Sequence, residues 1–580
     1  MFLKKARKTY KGKVYETYAL TESYRENGKV KHRHIANLGS LTKEQAQRIK
    51  LVLKAKQIED VFVGHLSDVV AKEHYRFLDV AVLDDIWRQF DLDQYFAELP
   101  YAEAMVVNRC LDPKSKIQIQ DWTQQTILPR LLRYDFSADS EYSIYRTLDK
   151  ITDQEVELQK HVYRKCKQLG HTDEKAVFYD ITSSYFEGTK CVLAFKGYSR
   201  DHRPDRLQIT IALVVTPNGY PFYWRVMPGN TQDVTTVEDL LLILKERFGI
   251  EECLLVLDRG MVSQNNLEAI AEKKLTYISA LDKDEVSGLG LMEAEFQSLV
   301  VDERYWRDNL LSLGFNLYDE NLVYREHIKG KVRYILAFNR QAYQDQQQNR
   351  QERLQKAKSY LAACNNELKH AQKSRNREAT ARRIENKLRK WNMHKVFVWE
   401  LEPIAITKKG TGQKIDSFRV VYTINEDKLK QQASLDGIMC FVTNEPTDKL
   451  PACQVIRYYR RKSKVEDAFR ELKDHLHLRP FFLSREKRVR AHVTICVLGY
   501  LLLNALEEKL QQQHYQCSAA TALEILGKCL LNRIGFKNSE SYAESITEVT
   551  TQQLEILRKL GFEYLISKKY LNQLLEHSTK

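Results

Sequence analysis

The sequence predicts an α/β protein whose core is interrupted by a long insertion and preceded by a β-hairpin and an all-α region. Three observations predict it. Between residues 175 and 282, three runs rich in Val, Ile, Phe, Tyr and Thr follow one another, and two more then alternate with helical periodicity. Two of these runs, VFYD and LLVLD, end on Asp180 and Asp258. Far downstream, YRRKSKVEDAFRELKDHLHLR (459–479) has no Gly or Pro and reads as one helix of about five turns. On it Tyr459, Lys462, Glu466 and Lys473 share a face.

In chain order, residues 1–41 read as a basic β-hairpin: Lys13–Ser23 alternates, Asn27-Gly28 supplies a type I′ turn and Lys31–Leu38 returns. Two basic strands suit DNA contact or a peripheral ribbon. Residues 42–170 read as a helical DNA-binding region, opening on Thr42 as N-cap of LTKEQAQRIKLVLKA. Asp112-Pro113 breaks it, and it has no clear helix-turn-helix pattern.

Residues 171–285 form the first part of the core. KAVFYDITSSYF, LQITIALVVT and PFYWRVM are strands, with a tight turn at Pro217-Asn218-Gly219. An amphipathic helix is expected from Asp233, as N-cap, to Phe248, with Val237, Leu240, Leu241 and Leu244 on one side. ECLLVLD is a strand buried on both faces, Ser263 caps the next helix, and LTYISAL is the fifth strand. Three antiparallel strands followed by helix-crossover strands is the order of the ribonuclease-H-like fold.

Residues 286–435 are expected to be an insertion domain. Its strands LVYREHI, VRYILAF, KVFVWELEPIAI and FRVVYTI surround a polar segment. Leu354, Ala357, Leu361, Cys364, Leu368 and Ala371 form one seam, and Ala381, Ile384, Leu388 and Trp391 a second, so an antiparallel helical hairpin is expected. Its basic outer face suits a solubilised strut or contact with DNA or a partner subunit. Residues 436–510 return to the core with DGIMCFVTN, the Glu466 helix and a buried helix, and 511–580 read as helical.

Composition narrows the function. The chain has 580 residues, 43% apolar, and a net charge of +14. Basic residues cluster: six of the first thirteen, nine between Lys373 and Lys395, and more flanking Glu466. That clustering predicts a polyanionic partner, nucleic acid first. No apolar run reaches the ~18 residues that span a bilayer, and the N-terminus lacks a secretory h-region. Ten scattered cysteines without CxxC pairs argue for free thiols in a cytoplasmic protein, and against structural zinc.

An ionised Asp at a buried strand end is costly without a partner. One such residue is ordinarily a cap; two on neighbouring strands, with Glu466 as a third, read as convergent ligands for hard Mg²⁺ or Mn²⁺, two ions serving phosphoryl transfer. Paired carboxylates also serve glycosidases, but that chemistry explains neither the basic surroundings nor the strand order.

Together YDITSSYFEG, GYSRDHRPDRLQITIALVVTPNGYPFYWRVMPGNTQD, LDRGMVS, DGIMCFVTN, YYRRKSKVEDAFRELKDHLHLRPFF and RVRAHV resemble the DDE transposases of bacterial insertion sequences that carry a Tyr-(2)-Arg-(3)-Glu-(6)-Lys signature. The resemblance implies that Asp180, Asp258 and Glu466 are the catalytic, metal-binding triad. Tyr459 and Lys473 match the signature's outer positions as DNA contacts, whereas Lys462 stands where the signature has arginine. Arg461 points about 100° away on a helix. Arg259, Arg203 and His202 are further candidate DNA contacts, with Arg200, Asp205 and Gln208 near them, and Thr182, Asn230 and Asp233 are candidates to support the acids. The implied activity is cutting at terminal inverted repeats and joining 3′-hydroxyls to target DNA, by a homodimer on double-stranded DNA, with no membrane partner, in the bacterial cytoplasm at the nucleoid. A non-catalytic DNA-binding derivative and another ribonuclease-H-like nuclease are the alternatives.

Overall fold

The computed structural model of the chain describes residues 1–11, 13–54, 66–172, 175–261, 263–292, 296–407, 412, 414–537, 540 and 542–576. Ala55 of the first expected helix and Val262 of LDRGMVS lie outside these residues. The chain divides into two compact units, one of residues 1–82, 120–138 and 521–580 and one of 83–119 and 139–520.

In the first unit, β1 (Phe2–Tyr10), β2 (Lys13–Glu26) and β3 (Lys29–Gly39) form an antiparallel sheet. The expected hairpin therefore has a third strand. Asn27 and Gly28 both take positive φ, as a type I′ turn requires. In β1 only Leu3 is buried, packing near Tyr18 and Ala46, so a strand dense in Lys and Arg carries almost no apolar alternation to read. Thr42 and Gln45 cap the following helix reciprocally, at 3.1 and 2.9 Å. The all-α expectation fails at β4 (Val69–Arg76), and the helical expectation for 511–580 fails too. Leu530–Phe536 and Tyr542–Ile546 are strands, and the first of them pairs with β4. These strands are mostly half-exposed and joined by charge: Arg533 contacts Glu73 at 2.5 Å and Glu544 at 2.8 Å. β4 and its partner Leu530–Phe536 are more than 450 residues apart, so no local pattern announces their pairing.

The second unit is built on a mixed α/β sheet. Among its described residues the strands are β5 (Ala176–Tyr185), β6 (Gln208–Val215), β7 (Pro221–Pro228), β8 (Leu254–Leu257), β9 (Thr276–Ala280), β10 (Asn316–Asp319), β11 (Leu322–Lys329), β12 (Val332–Asn339) and β15 (Ile438–Thr443), with β13 (Phe397–Thr407) and β14 (Lys414–Ile424) apart as a pair. The order is β10-β11-β12-β15-β9-β8-β5-β6-β7. β5, β8 and β9 run parallel; β6 and β7 are antiparallel additions. Every residue of β6 and β8 is buried, which accounts for the unbroken apolar run of β8, while β6 also buries Gln208 and Thr210. The helices Val237–Phe248 and Gln264–Glu272 are the crossovers around β8. Val237, Leu240, Leu241 and Leu244 of the first pack on Tyr179, Leu255 and Tyr277, and Ser263 Oγ caps the second at Asn266 N–H, 3.2 Å.

The expected insertion divides differently. LVYREHI and VRYILAF are β11 and β12, and β12 pairs with β15, so they extend the main sheet. Only β13 and β14 stand apart, under a hairpin of the helices Arg340–Lys369 and Arg377–Lys390. The two seams meet there: Ala357, Leu361, Cys364, Leu368, Ile384 and Leu388 are buried together with Phe397, Leu401 and Val420. Asn365 pairs with both backbone groups of Val420, at 2.9 and 2.7 Å.

Behind the sheet lies the helix Glu486–Gln512. It is long and apolar enough to cross a membrane by length and composition, but 89% of its most apolar stretch is buried within the protein. Thr494 on it accepts a 2.9 Å bond from Trp224 Nε1 of β7.

Candidate active site

The register of β5 against β8 brings the two aspartates together. Tyr179 lies beside Leu257 in this parallel pair, so Asp180 and Asp258, each the next residue, stand at the same level. Asp258 follows the last residue of β8 as expected, but the strand end expected at Asp180 is corrected: β5 runs on to Tyr185, paired with β6, and Asp180 is mid-strand where the shorter β8 stops. Asp180 Oδ1 accepts the N–H of Ile181 at 2.8 Å. Burial pushes the Asp180 carboxyl up to about 6, with Asp258 acting in the same sense and Lys462 and Arg200 against it. Asp258 is more open, its side chain 43% exposed.

The Glu466 segment is not one helix. Ala452–Arg461 and Ser463–Lys473 are separate helices that meet at Lys462, whose N–H bonds Tyr459 O at 3.1 Å and whose carbonyl accepts Val465 N–H at 3.0 Å. Both bonds span three residues, a local 3₁₀ tightening. The second helix stops at Lys473, short of the expected Arg479. The reason lies in its apolar spacing. Leu472, Leu476 and Leu478 are all fully buried, and residues two apart cannot share a helix face, so the chain leaves the helix and His477 takes φ +48°.

Lys462 lies beneath the acids, 6% exposed. Its Nζ donates to Glu466 Oε1 at 2.7 Å and lies 3.3 Å from Asp258 Oδ1. Burial alone would lower its pKa, but Asp180, Glu466 and Asp258 together outweigh that and raise it. Val465, Phe469 and Leu472 are buried while Glu466 stays exposed. The next residue, Asp467, pairs with Arg470 instead of joining the acids. Among the described residues, no three Asp, Glu, His or Cys side chains close into a metal cage; the carboxylates gather around an ammonium instead.

Lys473 is turned inward, donating to Thr182 Oγ1 at 2.7 Å and Asp201 Oδ1 at 2.8 Å. Thr182, two residues after Asp180, points the same way along β5. Arg479 reaches the same Asp201 oxygen at 2.5 Å. The Asp201 side chain is buried and central to this network, and sequence reasoning missed it. A lone acid among Arg200, His202 and Arg203 gives no local sign of burial.

The other expected site residues divide. Tyr459 is half-buried, its ring 5.0 Å from that of Phe441; burial raises its hydroxyl, with Asp258 and Glu466 acting the same way and Lys462 and Arg259 against. Arg461 donates to Pro217 O at 3.0 Å and Asn218 Oδ1 at 3.2 Å, on the turn after β6. Arg259 pairs with Asp282 at 3.2 Å. Arg203 grips Asp205 with two 2.9 Å bonds and lies over the Tyr185 ring. His202 and Asn230 are exposed, His202 with φ +56°. Gln208 Nε2 ties Tyr198 O to Gly229 O, both at 3.0 Å. The N-cap expected of Asp233 is corrected: Gln232 holds that place before a short 3₁₀ turn, and the Asp233 carboxylate instead takes the Arg200 guanidinium.

Two family models match the chain. One, described as the IS1634 family transposase N-terminal domain, matches residues 3–60. The other, described as the transposase DDE domain, matches 171–290 and 316–502, more than half of the chain. No curated protein matches it. The second match takes in Asp180, Asp258, Glu466 and every strand of the main sheet, and leaves out residues 291–315. The chain belongs to the DDE transposases of insertion sequences.

Proposed function

We propose that this DNA-cutting and DNA-transferring enzyme recognises terminal inverted repeats, hydrolyses the phosphodiester bonds at the element ends and joins the freed 3′-hydroxyls to target DNA at one site, Asp180, Asp258 and Glu466. The order β7-β6-β5-β8-β9, with β5, β8 and β9 parallel, supports reading the core as ribonuclease-H-like. One observation carries the assignment of the acids. Asp180 and Asp258 sit level on adjacent parallel strands, and Glu466 is linked to Asp258 through a single ammonium.

The donor set fits a hard divalent cation, Mg²⁺ or Mn²⁺: three carboxylates, one of them buried with its ionised form disfavoured, and no sulfur or imidazole. When bound, two such ions supply activation of the attacking oxygen and stabilisation of the leaving oxygen. The chain's own groups do the rest. Lys462 offsets the repulsion among the acids. Thr182 and Lys473 fix β5 against the Glu466 helix, and Tyr459 walls one side. Exposed basic residues of β1 and of the helical hairpin give phosphate-binding surface, which predicts affinity that falls steeply with salt. Pairing two element ends calls for two subunits, so the working form on DNA is a homodimer.

The test is Glu466→Gln, assayed with Mg²⁺ on duplexes carrying the element ends. Strand cleavage should fall by at least about 10³-fold with DNA binding retained. Cleavage at the wild-type rate would exclude Glu466 from the site.

A further inference from the structure

Lys462 has an unusual position for a lysine at the joint of two basic helices. The acids it serves face solvent, Asp258 at 43% and Glu466 at 58% side-chain exposure, while the cation between them is nearly sealed at 8%. Among the described residues neither Asp258 nor Glu466 has another cationic partner. Its neighbour Arg461 is committed elsewhere, to the Pro217–Asn218 turn. Among the described residues the ammonium is therefore the only positive charge joining the second acid to the third.

We propose that Lys462 is a resident counter-ion of the acid cluster. Its ammonium holds Asp258 and Glu466 together until a divalent cation takes them over, so ion and ammonium compete for the same carboxylate oxygens. This rests on the reading of Asp180, Asp258 and Glu466 as a metal site. Two consequences follow. The three acids are kept close without metal, at the cost of weakened affinity for it. Loading also releases an ammonium beside the acids, free to meet an anionic oxygen such as that of a phosphodiester.

The experiment measures Mn²⁺ binding to the full-length protein without DNA, by the loss of the free-ion EPR signal. Wild type is compared with Lys462→Met, Lys462→Arg and Glu466→Gln. Lys462→Met, similar in length and uncharged, should bind Mn²⁺ at least about tenfold more tightly, the least effect expected of one charge at this range. Lys462→Arg keeps the charge and should stay within about threefold of wild type. Folded Lys462→Met that binds no more tightly overturns the proposal, as does Lys462→Arg that tightens equally. Should Lys462→Met unfold without the ion, refolding on addition of Mn²⁺ supports competition, and failure to refold counts against it. Glu466→Gln separates the two readings. If it leaves Mn²⁺ binding unchanged, the metal-site assignment itself fails. If it weakens binding but Lys462→Met does not tighten it, only the counter-ion role fails.

Discussion

Lys462 and Lys116 are buried alike in the same unit, 6% and 7% exposed, yet their surroundings treat the charge in opposite ways. Lys462 lies among Asp180, Asp258 and Glu466, which hold its proton more firmly than water does. Lys116 opens the short 3₁₀ turn Lys116–Gln118, and its Nζ has no hydrogen-bond partner. Burial, with the Arg109 guanidinium adding to it, pulls that ammonium down to about 7. A third case lies between them. Lys473 has Asp201 as acceptor, but burial still lowers it, aided by Arg479 and Arg200. Depth alone does not decide whether a lysine keeps its charge; the number of carboxylates within reach does.

The strongest way to break this comparison is to remove a counter-charge rather than a lysine. Asp201→Asn leaves Lys473 and Arg479, both partly buried, facing each other without their shared carboxylate. It should destabilise the unit by about 3 kcal/mol, read from urea unfolding. A loss under about 0.5 kcal/mol would mean that water reaches both cations.

Next in size is Lys116→Met. The folded pKa of Lys116 lies below its ordinary value, so the unfolded chain binds the proton more tightly and wild-type stability rises with pH between about 7 and 10.5. Methionine removes that penalty. The gain should be about 2 kcal/mol at pH 6 and should shrink steadily on going to pH 9. A gain that does not change with pH would point to packing instead of charge.

Lys462→Met should cost less, about 1 kcal/mol in chelator, because solvent screens two of the three acids it leaves behind. Raising the salt concentration should recover part of the loss. Smallest is Thr182→Val, which takes one acceptor from Lys473 and leaves Asp201 in place. About 0.5–1 kcal/mol is expected, and a larger loss would make Thr182 the main anchor of that ammonium.

Much of the site was legible because its signals are local. An acid in or just after a run of buried apolar residues, as in VFYD and LLVLD, is conspicuous, and an acid four residues after a lysine on a helix shares its face. The seams of the helical hairpin were legible for the same reason: residues three and four apart must meet a partner or stay wet. Asp201 was not legible, because its partners Lys473 and Arg479 lie more than 270 residues away. Nor was the joint at Lys462, since helix propensity runs unbroken through that residue.

The sequence by itself determined where the strands of the core lie and which acids they carry, through periodicity and the cost of burying charge. Tertiary structure decided what those pieces join. It carried β11 and β12 into the main sheet through β15, paired β4 with a strand near the other end of the chain, and placed Lys462 between Asp258 and Glu466. Strand partners and counter-ions are chosen by groups distant in sequence, so hydrogen bonding and electrostatics at those contacts leave no mark on the local pattern.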